Sequence, residues 1–203
     1  MTTIRRIVAF NRVTADGYFS TPDGNLDWAV PDEDLDKGAT SSMPETDTIL
    51  FGRRTYEQFE SFWPHVVHHS RTAPDPHAEG RRTEGMLAMA TWINDANKIV
   101  FSRTRKSVTW KNSRLFGELD PREVAAEKTQ PGKNMIIFGS GSITSQLTQH
   151  GLIDEYMFVV NPVLIGDGRS LIGGVSTRTR LELLEAKPLR TGNVMLRYAP
   201  ITS

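Results

Sequence analysis

The order of apolar runs predicts an α/β fold of three layers, in which helices flank a central mixed, mostly parallel sheet that ends in antiparallel C-terminal strands. Three observations predict it. Short apolar stretches rich in β-branched and aromatic residues alternate with longer helical ones, as when strands buried on both faces are joined by crossover helices. The last two strand-like runs leave no room for a helix between them, which makes them an antiparallel pair. The length of 203 residues is that of one ordinary domain, able to bury roughly 70% of its unfolded surface around a single core.

In order, the expected strands are Ile4 to Phe10, Thr48 to Phe51, Lys98 to Ser102, Met135 to Phe138, Tyr156 to Asn161, Leu181 to Leu184 and Val194 to Tyr198. The expected helices are Asp32 to Ser42, Arg54 to Phe62, Glu84 to Asn94, Pro121 to Lys128 and Ser142 to His150. The stretch from about Pro64 to Gly85 is rich in Pro, His and Arg and is expected as a loop inserted within residues 1–203, not as a linker between domains.

Charge and composition exclude several classes. Lys plus Arg and Asp plus Glu both number 24, so no field of one sign recruits nucleic acid or an anionic membrane. The absence of cysteine removes disulfides, thiolate metal sites and cysteine nucleophiles. The apolar run at the start, Ile7 to Phe10, is too short for a signal peptide or a membrane span, so a soluble cytoplasmic protein is expected. His65, His68, His69 and His77 have no ligand spacing and no acid to complete a set, so no metal is expected.

Chemistry concentrates where strands turn into helices. After Met135 to Phe138 the chain shrinks to Gly139, Ser140, Gly141 and Ser142 before a helix opens at Ile143. A helix start offers unpaired N–H groups and partial positive charge, and glycines let a phosphate approach them. The same stretch also suits a tight turn with a serine cap and no ligand. A second junction places Gly52, Arg53, Arg54 and Thr55 at a helix start; the third ends a strand in Ser102, Arg103, Thr104, Arg105 and Lys106. Each alone reads equally as a cap or a solvated loop. Three together at the C-terminal ends of strands point to a ligand along that edge, and two phosphate sites plus a basic site suit NADPH. A standard Rossmann domain is not expected, since no G-x-G-x-x-G follows the first strand.

The segments TADGYFSTPDGNLDW, DTILFGRRTYEQF, NKIVFSRT, IIFGSGSITSQL, GLIDEYMFVVNPVLIGDGRSL and GNVMLRYAP together resemble the dihydrofolate reductase superfamily. They are most similar to stand-alone proteins related to the C-terminal reductase domain of bifunctional riboflavin-biosynthesis deaminase-reductases. The resemblance runs from Ile4 to Pro200. It implies a dihydrofolate reductase-like fold and an NADPH-dependent oxidoreductase resembling 5-amino-6-(5-phosphoribosylamino)uracil reductase. Hydride would pass to a C=N or C=O bond of a pyrimidine- or pterin-like small molecule.

By the same resemblance Gly52, Arg53 and Thr55 hold cofactor phosphate, Ser102 and Arg103 the adenosine 2'-phosphate, and Gly139, Ser140, Gly141, Ser142 and Ile143 the pyrophosphate. Asp16, Gly17 and Trp28 face the substrate. Asp16 is the candidate for positioning a proton, unless Asp16-Gly17 is only a turn. Glu33, with Asp32 and Asp36 as rivals, matches the position of the pterin-recognising acid of dihydrofolate reductases; a negative first turn offsetting the helix dipole accounts better for this cluster. Arg169 is a weak candidate for a substrate phosphate. A dihydrofolate reductase proper and a non-catalytic nucleotide-binding protein are the alternatives. A homodimer is possible, with the apolar run Phe158 to Ile165 as its interface or as a buried strand. No deaminase half is expected within these 203 residues, because its zinc site requires cysteines and they hold none.

Overall fold

In the computed structural model of the protein, residues 4–30, 32, 34, 35, 43–68, 74, 75, 78–81, 84–176 and 178–201 are described. The chain forms β1 (Ile7–Thr14), β2 (Tyr18–Ser20), β3 (Thr46–Gly52), α1 (Arg53–His68), β4 (Pro74–Asp75), β5 (Ala78–Arg81), α2 (Glu84–Asp95), β6 (Asn97–Phe101) and β7 (Ser113–Phe116). It continues through α3 (Pro121–Thr129), β8 (Asn134–Phe138), α4 (Gly141–Gln149), β9 (Glu155–Asn161), β10 (Arg169–Ser170), β11 (Leu181–Pro188) and β12 (Val194–Pro200). Eight strands make one sheet in the order β11-β12-β9-β1-β8-β3-β6-β7. Pairing is parallel from β9 through β7, whereas β12 runs antiparallel to both β9 and β11. The mixed sheet with antiparallel C-terminal strands is the one the sequence predicts.

Alternation along the strands decides which helices each face meets. Ile49, Phe51 and Val100 point to one side and pack with Tyr56 of α1 and Ile93 of α2. Leu50, Ile99, Ile7, Ala9, Met135 and Ile137 point to the other and pack with Val124 of α3 and with Ile143 and Leu147 of α4. Both faces are therefore dry, and burying each of these side chains stabilises by about 1.5–3 kcal/mol.

Four expectations are corrected. β7 is a strand that the sequence does not announce: its Ser-Arg-Leu-Phe run is half polar because it pairs only with β6 at the sheet's edge. α1 runs through Pro64 to His68, beyond the expected end at Phe62, and the insert carries the short antiparallel pair β4–β5 in place of unbroken loop. β1 extends to Thr14 because its polar residues still pair with β9 in register. Of the helix expected from Asp32 to Ser42, residues 34 and 35 are helical and Asp32 precedes them outside the helix; the remainder, including Glu33 and Asp36, lies outside the described residues.

The connections place the site. From β3 the chain moves outward to β6 and β7, returns through α3 to insert β8 beside β3, and then crosses β1 to reach β9. At the β3–β8 boundary, α1 and α4 leave toward opposite faces. Open α/β sheets bind ligands at such a reversal, at the C-terminal ends of the strands.

Candidate functional site

At that reversal two helix N-termini are tied together by one serine. Gly139 and Ser140 both adopt left-handed backbone, with φ of 58° and 50°. This double turn lets the Ser140 carbonyl accept from the Ile143 and Thr144 amides at 2.8 and 3.0 Å, starting α4 abruptly after β8. Ser140 stands at the helix cap position, but its hydroxyl does not cap α4. It accepts instead from the buried Gly52 amide at 3.1 Å and donates to Thr55 Oγ1 at 2.9 Å, joining the start of α4 to the start of α1. A Cβ on Gly52 would meet Ile143 Cγ1 at 3.3 Å, with the Ser140 and Ser142 hydroxyls just beyond, so the two helix starts are in contact.

The two glycines of the turn have different tasks. A Cβ on Gly139 would meet nothing within 4 Å, which leaves open space over the turn. A Cβ on Gly141 would lie 2.9 Å from the Phe19 ring, so glycine at 141 lets β2 lie across the start of α4. That contact by itself requires glycine there.

On the next strand outward, Ser102 is buried and its hydroxyl accepts from the Thr104 and Arg105 amides at 3.3 and 2.9 Å, shaping the loop after β6. Arg105 is spent on structure: it stacks over Tyr56, and its guanidinium donates to Glu60 at 2.6 Å. Burial pushes the Glu60 carboxyl up, but Arg105 and the Tyr56 and Thr109 hydroxyls outweigh it and hold it ionised below its usual range. Arg103 projects into solvent, 77% exposed, with a distant ion pair to Glu118 at 3.6 Å. Arg53 is exposed and bridges to Glu57 one turn along α1 at 2.9 Å. Arg103 is thus the less committed cation.

At the other end of the edge, the turn after β1 is closed by Asp16, whose Oδ2 accepts from the Ile165 and Gly166 amides at 3.1 and 2.8 Å. The Thr14 hydroxyl first, then the Gly166 amide, lower the Asp16 pKa, so this exposed carboxylate stays charged at neutral pH. Gly17 continues the turn in left-handed conformation, φ 88°. Asp32 is committed elsewhere: Oδ1 accepts from the Asp34 and Leu35 amides, and Oδ2 accepts from the Thr191 hydroxyl. Arg169 donates to the Pro22 carbonyl at 2.9 Å and flanks Gly24, which holds the loop tip.

Besides Asn193 Oδ1, two side chains here have buried polar atoms without partners. Trp28 Nε1 is one; the other is Asn11, 1% exposed, with neither Oδ1 nor Nδ2 hydrogen-bonded. The sequence does not single out Asn11, because the expected strand stops at Phe10. The signal lies in its register with Ile7 and Ala9, which makes an amide the next inward residue of a buried strand. Among the described residues no cluster of three or more His, Asp or Glu side chains is arranged to hold a metal, and no helix is long and apolar enough to cross a membrane.

Comparison with known proteins accords with this geometry. Residues 5–195 match the family described as the RibD C-terminal domain. The chain is 28% identical over 195 residues to the uncharacterized protein YyaP of Bacillus subtilis (strain 168), covering 96% of this chain and 94% of that one. In structure it is similar to a putative riboflavin biosynthesis protein from Shewanella sp. PV-4, with a TM-score of 0.71, 20% identity, and 97% and 99% of the two chains covered. It is also similar to the dihydrofolate reductase of Enterococcus faecalis complexed with NADP(H), with a TM-score of 0.58, 13% identity, and 97% of each chain covered. At these identities the structural likeness speaks for the fold.

Proposed function

The chain belongs to the RibD C-terminal domain family, and from that premise we propose that it is an NADPH-dependent reductase, similar to the pyrimidine reductase of riboflavin biosynthesis, acting on a small C=N or C=O acceptor. The observation that carries the proposal is the pair of helix starts joined through Ser140, in line with the Arg103 loop on one sheet edge. The residues fit the cofactor: the space over Gly139 is open, the orphan N–H groups of two helices converge beside it, and an exposed guanidinium stands one strand away. Gly52, Arg53, Thr55 and the turn from Gly139 to Ile143 would hold the pyrophosphate, and Ser102 with Arg103 the 2'-phosphate.

When bound, NADPH supplies the hydride. The protein's part is to hold donor and acceptor in attack geometry, which lowers a barrier by about 7–11 kcal/mol. Asp16, held ionised, orients the substrate better than it donates a proton, and the buried indole N–H of Trp28 has no partner. The proton then comes from water or from Glu33. A homodimer is also proposed, through the edge strand β11, where Leu181, Leu183 and Leu184 are exposed.

Titration of the purified protein with NADPH and with NADH, followed by tryptophan fluorescence, tests the proposal. The expected result is tight NADPH binding, weak NADH binding, and an Arg103→Ala variant that loses about tenfold or more for NADPH alone. Equal weakening of both cofactors would remove Arg103 from the site, and absence of binding to either would overturn the reductase assignment.

A further inference from the structure

Among the described residues, Asn11 is the side chain with both a buried donor and a buried acceptor left unpaired. Native proteins keep such groups rare, because an amide shut away from water without partners destabilises the fold. Its place is specific. β1 and β8 pair as far as Phe10 and Phe138, and the Gly139 amide then donates to the Phe10 carbonyl at 3.0 Å. Asn11 is the next residue along β1. Alternation turns it to the face of Ile7 and Ala9, the face on which Ile143 of α4 packs.

The order of strands orders the ligand. Along the edge run β6 with Arg103, then β3 and β8 with the joined helix starts, then β1 with Asn11. Three inter-strand spacings of about 4.8 Å separate the first from the last, about 14 Å in all. A dinucleotide with its 2'-phosphate at Arg103 and its pyrophosphate at the helix starts therefore brings its other end to β1. That end carries a carboxamide, which has the same donor and acceptor set as the Asn11 side chain, and two primary amides pair reciprocally.

We infer that Asn11 reads the nicotinamide carboxamide, and so fixes which way the ring faces the acceptor. The inference rests on the proposed cofactor. Asn11 is sealed in the structure, so the strap Tyr18–Ser20, which lies against β1, must shift to admit the ring. Few hydrogen bonds hold that strap: β2 pairs with β10 at two positions and the Tyr18 amide donates to Thr14 Oγ1 at 2.9 Å, while Tyr18 and Ser20 pack on Gly168 and Phe19 on Gly141.

The test compares NADPH with 2'-phospho-ADP-ribose, which lacks the nicotinamide ring, on wild type and on Asn11→Leu, a substitution of similar shape. Leucine should weaken NADPH by about tenfold to a hundredfold, the loss of two hydrogen bonds, and leave the ring-less ligand within about twofold. The same variant, measured without ligand, should melt about 2–8 °C higher, since an unsatisfied amide is gone. A residue serving only the fold would not raise the melting temperature while lowering affinity for one ligand. Asn11→Ala gives the same comparison of ligands if the leucine variant does not fold. Equal weakening of both ligands, or no change in either, overturns the assignment of Asn11 alone. Wild type that binds the ring-less ligand and NADPH equally also overturns it, whereas wild type that binds neither overturns the cofactor itself.

Discussion

Removing the Ser140 hydroxyl tests whether the two helix starts act as one unit. Alanine carries the same Cβ as serine, so the left-handed strain at φ 50° is the same in both and the change reports the hydroxyl alone. Its loss leaves the buried Gly52 amide without an acceptor, which costs about 1–3 kcal/mol. For a chain of this length that lowers the melting temperature by about 2–12 °C. Thr55→Val keeps the Gly52 bond and removes only the bond from Ser140, for about 0.5–1.5 kcal/mol. Because both variants break that same bond, the double variant should be less destabilised than the sum by about 0.5–1.5 kcal/mol. Urea melts of the four proteins give the cycle. Strict additivity, or a Ser140→Ala loss below about 0.5 kcal/mol, would refute the link between the helix starts.

Gly141→Ala should lower the melting temperature by several degrees, and Phe19→Leu, which shortens the ring that a Cβ would strike, should restore most of the loss; a neutral Gly141→Ala would show that the strap yields freely. Asp47 provides a pH signature. Burial raises its carboxyl, but the Lys133 amide, the Thr48 hydroxyl and the Arg5 guanidinium outweigh burial and hold it below its usual range. With the folded value below the unfolded one of about 3.9, its stabilisation is fully present above that pH and is lost as pH falls through the folded value. Melts across the acid limb should thus be less steep for Asp47→Asn than for wild type, and equal steepness would exclude the pair as the cause. Light scattering should find a dimer for wild type and a monomer for Leu183→Lys combined with Leu184→Lys; monomeric wild type would dismiss β11 as an interface.

Much of the fold was legible because the sheet is buried on both faces. Runs such as Ile49-Leu50-Phe51 and Met135-Ile136-Ile137 leave no other placement, and α/β topology follows from their alternation with helices. β7 was illegible for the converse reason: an edge strand needs few apolar residues, so Ser113-Arg114-Leu115-Phe116 carries no strong period. At the site, glycine and serine at the junction of β8 and α4 marked the place, but not their tasks. Nothing local says that Ser140 reaches a residue 88 positions away, or that Gly141 is glycine for the sake of Phe19. Those are tertiary contacts, and a cap or a phosphate turn would use the same residue types.

Two buried polar residues of the sheet show how a site can be told from mere structure. Lys98, at the opposite end of β6, is fully buried, and burial pulls its ammonium down to about 8. Yet its Nζ donates to the carbonyls of Asn94, Ala96 and Lys111 and stacks on Trp110 at 4.4 Å, so every donor is used. Such a residue closes a helix end against a strand and asks for no ligand. Asn11 is equally enclosed but has no partner at either polar atom, and it lies beside Gly139 and Ser140, where the backbone is also held in left-handed conformation. The left-handed backbone does not separate the two ends, since Asn112 beside Lys98 has φ 59°; the unpaired amide does, because at Lys98 every donor is used. Folds tolerate an unpaired buried amide where something else completes its hydrogen bonds, which is the ground for proposing the ligand at the β1–β8 end and not at Lys98.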